Sequence, residues 1–294
     1  TALFMDVEDA AALPDGRLLL VCGWDEAVET ALRDGGDDAA ALLAEAETVH
    51  TVTKLPFWEN GGGYTSGRVS RLYLWQPPAE GEDPSGALTP LTSRNVSVSG
   101  LRLSADKRRA TFLAQDCPDN APAPVSNRLI AMDTDTCEPK ELRVWPDAFR
   151  YDGCVPLAGD DLLIYGSDMR RHGLNENPWF YVVDAKTGDS RPINTDGTYS
   201  GWVSVGTDLS RAAEAVWCMD AAGRGVYFPA SAGGKVHLAR LDLRNGRIGM
   251  GTKNGGAVTE FTLTGAGRLY AAGLREMAGP EVFEIIPQPS GSTV

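Results

Sequence analysis

The residues best suited to chemistry in this chain are few. It holds three histidines, His50, His172 and His237, in 294 residues. A serine-type hydrolase needs a nucleophile, a histidine base and an acid that orients it. None of the three histidines has a neighbouring serine and aspartate in such an arrangement. No Gly-x-Ser-x-Gly elbow occurs, and the nearest string, Gly201-Trp-Val-Ser-Val-Gly206, has the wrong spacing. His237 sits within the apolar run Val236-His-Leu-Ala-Arg-Leu241 and reads as structural. There is no phosphate-binding P-loop, no dinucleotide fingerprint after a strand and no His-Glu-x-x-His. The adjacent acids Asp37-Asp38 and Asp160-Asp161 read as solvated turn residues. Five cysteines, Cys22, Cys117, Cys137, Cys154 and Cys218, are widely spaced and form no Cys-x-x-Cys. Most lie in or beside apolar segments, where a free thiol acts as a small hydrophobe. No catalytic residue, metal ligand or cofactor is therefore assigned, and a reducing cytoplasm is the simpler compartment.

Three loops stand out instead as contact surfaces. The first, Phe57-Trp-Glu-Asn-Gly-Gly-Gly-Tyr64, sets aromatics beside three glycines and offers Trp58, Glu59, Asn60 and Tyr64. The second, residues 168–178, gathers Arg170, Arg171 and His172 in an otherwise acidic chain. Two adjacent arginines can hold a carboxylate. The third, residues 202–211, places Trp202 near Asp208 and Arg211. These ten residues are the candidates for facing a substrate or an interface.

A repeat must position these loops. A turn followed by a short apolar strand appears at Pro14-Asp-Gly-Arg-Leu-Leu-Leu-Val21. It returns at residues 105–113, 158–165, 222–228 and 265–271. A second apolar strand follows each time, at residues 71–75, 128–132, 180–183, 236–241 and 282–285. The markers Tyr73, Ile130, Tyr181, Leu238 and Phe283 recur at intervals of 45 to 57 residues. A period near 50 with about four strands per unit is the signature of a β-propeller. The turns agree: Asp184-Ala-Lys-Thr-Gly188 and Asp242-Leu-Arg-Asn-Gly246 take the same place in their units, and Asn245-Gly246 suggests a type I′ turn. The first unit is longer than the rest, with 58 residues from Asp15 to Tyr73 against 16 to 24 in the later units. Residues 25–48 are rich in Ala, Glu and Asp, and residues 25–33 and 37–47 read as two short helices broken at Gly35-Gly36. Asp37 and Asp38 are placed to cap the second. This insertion, spanning about 25–50, is expected to be less stable locally than the strands.

Composition sets the outer limits. The 33 Gly and 18 Pro fit many turns without reaching low complexity. The net charge of −13 disfavours nucleic acid and serves solubility. No apolar run approaches the roughly 20 residues of a membrane span.

In its order of motifs the chain resembles the N-terminal β-propeller of bacterial prolyl oligopeptidase family serine peptidases, of the acylaminoacyl-peptidase-like or dipeptidyl-peptidase-like kind. The resemblance rests on Leu13-Pro-Asp-Gly-Arg17 before an apolar strand, and on Lys54-Leu-Pro-Phe-Trp-Glu-Asn-Gly-Gly-Gly-Tyr64 leading to Arg71-Leu-Tyr-Leu-Trp75 and Pro90-Leu-Thr92. It rests also on His172-Gly-Leu-Asn-Glu-Asn-Pro-Trp-Phe-Tyr181, and on Ser204-Val-Gly-Thr-Asp208 before Gly225-Val-Tyr-Phe228. It implies a single all-β propeller domain over 1–294 with a tail at 287–294, and seven or eight blades where five units are readable. In that family the propeller is a non-catalytic lid over an α/β-hydrolase domain that carries the Ser, Asp and His. The chain starts on Thr1 and stops at Val294, where a last strand would lead into that domain, so a fragment of a longer enzyme is expected. The implied partners are that hydrolase domain of the same polypeptide and peptide substrates, with no nucleic acid and no membrane. The implied role is substrate gating, and the alternative is a stand-alone propeller serving as a protein-binding scaffold.

Overall fold

The structure is a computed structural model that describes residues 6–25, 58–59, 63–64, 68–78, 87–118, 122–145, 147–198, 200–203, 217–220, 222–252, 256–275 and 279–286. Among the described residues the regular elements are strands apart from one short 3-10 turn, and the chain divides into two compact units, Thr1–Pro156 and Leu157–Val294. Among the described residues no helix is long and apolar enough to cross a membrane.

In the first unit, β1 (Val7–Ala12) and β2 (Leu18–Trp24) precede a small hairpin of β3 (Trp58–Glu59) and β4 (Gly63–Tyr64). The strands β5 (Val69–Gln76) and β6 (Ala87–Pro90) then complete a four-stranded antiparallel sheet in the order β1-β2-β5-β6. A second such sheet follows from β7 (Val96–Leu103), β8 (Arg109–Asp116), β9 (Arg128–Asp133) and β10 (Pro139–Glu141). The strand β11 (Arg150–Pro156) packs on β7 and β8.

The two-residue period of β2 explains why the sheets stack. Leu19 and Val21 point one way, with Leu72 and Leu74 of β5, into a core shared with Val98, Leu101, Phe112 and Met132 of the second sheet. Leu20 and Cys22 point the other way, against Tyr73, Trp75 and Leu88. A strand apolar on both faces must be covered on both, and each fully buried side chain contributes about 1.5–3 kcal/mol.

Polar clips fix the two sheets against each other. The Leu13–Arg17 turn closes with the Leu13 N–H donating to the Arg17 carbonyl at 2.9 Å, and Gly16 takes a φ of 89° there. Arg17 Nε then meets Asp15 Oδ2 at 2.6 Å, while its terminal nitrogens reach the Thr134 carbonyl (2.9 Å) and Cys137 Sγ (3.6 Å) in the β9–β10 turn. Arg102 joins Asp9 of β1 at 3.5 Å.

In the second unit, β12 (Asp161–Ser167), β13 (Trp179–Asp184) and β14 (Ser190–Asn194) pair antiparallel in chain order. They are followed by β15 (Cys218–Met219), β16 (Gly225–Ala232), β17 (Lys235–Asp242) and β18 (Ile248–Met250), again an antiparallel series. The last series is β19 (Gly256–Leu263), β20 (Leu269–Arg275) and β21 (Pro280–Ile285), with Val236 and Ala257 forming a parallel pair between β17 and β19. Tyr165, Phe180, Trp217 and Phe228 form an aromatic core with ring centroids 4.7–6.0 Å apart. The Tyr165 hydroxyl accepts the Gly201 N–H at 2.8 Å, and a Cβ at Gly201 would fall 2.8 Å from the Tyr165 ring.

The expected strand pairs are all present, as β2/β5, β8/β9, β12/β13, β16/β17 and β20/β21. The type I′ expectation is corrected. Asp242 N–H donates to the Arg247 carbonyl and Gly246 N–H to the Asp242 carbonyl, so the turn is a longer loop with its left-handed residue at Gly246, φ 68°. Asp242 Oδ1 accepts the Arg244 N–H, and this is what organises the turn. The same design recurs at Asp184 with Gly188 (φ 78°), and at Asp133 with Cys137 (φ 56°) in place of glycine. The β2–β5 register runs unbroken from Leu18 opposite Trp75 to Trp24 opposite Val69, so the first-unit insertion leaves and re-enters the sheet at one point. The two expected helices and the tail at 287–294 fall on 26–57 and 287–294, outside the described residues.

Two outcomes test this packing. Arg17→Ala strips partners from Thr134 and the buried Cys137, and is expected to cost about 1–3 kcal/mol in chemical denaturation. Burial pushes the Asp152 carboxyl up to about 6, against the opposing pull of Arg150 at 2.7 Å. A carboxyl whose folded value is raised stabilises the fold fully below its unfolded value near pH 4, and that stability fades as pH rises through about 6. Denaturation midpoints of Asp152→Asn should therefore gain on the wild type as pH rises across that window.

Candidate functional site

The second candidate loop is the best defined. It leaves β12 at Ser167 and enters β13 at Trp179, and it is built by short-range polar contacts. Ser167 Oγ, buried, accepts the Met169 N–H at 2.9 Å, and Met169 turns the chain with a φ of 57°. Asp168 Oδ1 accepts the Arg170 N–H. A single 3-10 turn, Gly173–Asn175, follows. Glu176 Oε2 reaches back to accept the N–H groups of Arg171 (2.9 Å) and His172 (3.4 Å). Asn177 Nδ2 donates to the Gly197 carbonyl at 2.8 Å and ties down the exit.

The alternation of β13 supplies the other wall. Phe180 turns into the aromatic core, which leaves Trp179 and Tyr181 together on the loop side. The Arg171 guanidinium lies over the Trp179 ring, 4.8 Å from its centroid. Arg170 Nε stands 3.6 Å from Asp168 Oδ2. Between loop and strand lies a cavity of about 270 Å³ lined by Gly166, Ser167, Asp168, Arg170, Arg171, Glu176, Trp179 and Tyr181. Burial pushes the Tyr181 phenol up to about 12, aided by the charges of Asp168 and Glu176 and opposed by Arg171. The phenol therefore stays protonated at neutral pH.

The structure thus joins Arg170 and Arg171 at one cavity whose lining does not include His172, and all three residues are exposed. Trp58 pairs with Tyr64 and Glu59 with Gly63, antiparallel, in β3 and β4. Trp202 is half-buried, and its carbonyl accepts the Ser231 hydroxyl. Asn60, Asp208 and Arg211 lie outside the described residues. His237 is structural, its Nδ1 sitting 3.1 Å from the Thr252 carbonyl, and all five cysteines are free. Trp179, Tyr181, Asp168 and Glu176 were not among the sequence candidates. The alternation of Trp179 and Tyr181 next to an arginine pair was the available signal.

Neither a protein-family model nor a curated protein sequence matches the chain. Solved structures do. A puromycin hydrolase variant complexed with PGG matches with a TM-score of 0.59 at 14% identity, over 95% of this chain and 36% of its own. Uncomplexed Pyrococcus horikoshii acylaminoacyl peptidase matches with a TM-score of 0.59 at 15% identity, over 96% of this chain and 37% of its own. An orthorhombic form of the same peptidase gives 0.57 at 16% identity. The chain shares their fold. It spans little more than a third of their length. The likeness agrees with the resemblance drawn from the order of motifs.

The Glu176 carboxylate is the clasp of the loop. Glu176→Ala is expected to raise amide hydrogen exchange at Arg171 and His172 about tenfold or more, with β12 amides unchanged.

Proposed function

We propose that this chain is the propeller portion of a prolyl oligopeptidase family serine peptidase, with about seven four-stranded blades, and that it gates access of peptides to a catalytic domain. The observation that carries this reading is the fold match over 95% of the chain to about 36% of a puromycin hydrolase, with the acylaminoacyl peptidase match of the same proportions beside it. The four-stranded antiparallel sheets and the repeated Asp-centred turns support it. In this reading the chain supplies no catalytic group. Its work is exclusion: a lid over a reactive serine admits short or unfolded chains and keeps out folded proteins and bulk water. The partner is an α/β-hydrolase domain of the same polypeptide, the setting is the bacterial cytoplasm, and no nucleic acid or membrane takes part. Trp58, Glu59, Asn60, Tyr64, Arg170, Arg171, His172, Trp202, Asp208 and Arg211 are proposed to face substrate or that domain.

The test is the parent reading frame together with an assay. The frame beyond Val294 should encode a Gly-x-Ser-x-Gly followed by an Asp and a His. The purified 294-residue chain should not turn over N-acylated peptide or dipeptidyl substrates. Turnover by this chain alone, abolished by a serine-directed inhibitor, would overturn the reading. So would a stop codon directly after Val294 together with a specific protein partner retained in pulldown, the outcome expected of a scaffold.

A further inference from the structure

We propose that the cavity between the 168–178 loop and β13 binds the carboxylate of a short peptide, with Arg171 as its anchor. This rests on the peptide reading above and adds a ligand group and a site to it.

The charges at the cavity are not equally engaged. Asp168 gives one oxygen to the Arg170 N–H and sets the other 3.6 Å from the Arg170 guanidinium. Glu176 spends an oxygen on the two backbone N–H groups that follow Arg170. Both carboxylates therefore serve the loop itself. Arg171 differs, because no carboxylate among the described residues pairs with its guanidinium. At this cavity Arg170 is paired with Asp168, which leaves Arg171 as the lining cation without an acidic partner among the described residues.

Arg171 is also held ready. Its backbone N–H is fixed by Glu176 and its guanidinium lies on Trp179. Stacking uses the π face of the guanidinium and leaves its in-plane N–H donors available. Those donors match a carboxylate in a bidentate pair, and the rotamer entropy of binding is already reduced. Tyr181 lines the same cavity. The indole of Trp179 and the ring of Tyr181 give apolar surface for the residue that bears the carboxylate. A cavity of about 270 Å³ suits one or two residues rather than a folded surface.

The carboxylate can come from a peptide C-terminus or from an acidic side chain. The test separates the two with N-acetyl-Ala-Ala-Phe as the free acid, its C-terminal amide, and N-acetyl-Ala-Asp-Phe amide. Binding to the full chain is measured by titration calorimetry, with the Trp179 indole N–H resonance as a local reporter. The free acid is expected to shift that resonance and to bind at least about tenfold more tightly than the plain amide. Tight binding of the Asp peptide amide as well would assign the site to carboxylates in general, and weak binding would restrict it to C-termini. Arg171→Gln should bring the free acid down to the affinity of the amide, and Arg171→Lys should recover only part of it. Near-UV circular dichroism of each variant confirms that the fold is kept. Equal affinity for acid and amide, or wild-type affinity in a folded Arg171→Gln, would overturn the carboxylate site while leaving the peptide gate standing. No binding of any of the three peptides would overturn it as well.

Discussion

Strands buried on both faces are the constraint from which the rest follows. The central strands β2, β8 and β12 carry runs of four or more buried residues, and β16 buries five of its eight, so neither face of these strands can be left to water. A sheet of four short strands cannot cover itself. It gains stability only by stacking on another sheet, as the shared core of Leu19, Leu72, Phe112 and Met132 shows for the first unit. Repetition is therefore a physical requirement here, and the spacing of apolar strands near 50 residues is its trace in the sequence. Once neighbouring sheets carry the stability, the connecting loops are released from packing and can carry function.

The Asp-centred turns are the second part of that division. Asp133, Asp184 and Asp242 each accept N–H groups from the following residues, which sets the hairpin without help from the core. Two of the three finish on glycine in the left-handed region, and the third finishes on Cys137, whose sulfur faces Arg17 of the neighbouring sheet. A non-glycine residue in that conformation is strained. Its buried contact with Arg17 and the Thr134 carbonyl offsets the strain and links the two sheets. Local turn chemistry and sheet stacking are thus joined at one residue.

Much of this was legible in the residues. The inner strands such as β2, β8 and β12 were found because a strand buried on both faces leaves a continuous hydrophobic string. The edge strands were harder to read. β10 (Pro-Lys-Glu) and β14 (Ser-Arg-Pro-Ile-Asn) are largely polar and exposed, and their pairing depends on a neighbour already in place. The Asn245-Gly246 pair misled on turn type, because the Asp242 carboxylate three residues earlier organises a longer loop. At the candidate site the arginine pair was readable from its charge. Its wall was not, because Trp179 and Tyr181 belong to the site only through the strand's alternation. The role of Glu176 depends on a contact across five residues that composition does not reveal.

The proposed lid role divides the work between fold and site, with the repeat as the obstacle and loops such as 168–178 as the proposed selector of what passes. One comparison tests this most directly. An enzyme formed by this chain and the proposed hydrolase domain is given the same cleavable sequence twice, once as a free peptide and once in a loop of a stable folded protein. Gating predicts that kcat/KM for the free peptide exceeds that for the folded protein by about a hundredfold or more, with the difference lost once the carrier protein is unfolded. Equal cleavage of the peptide and the intact folded protein would contradict it.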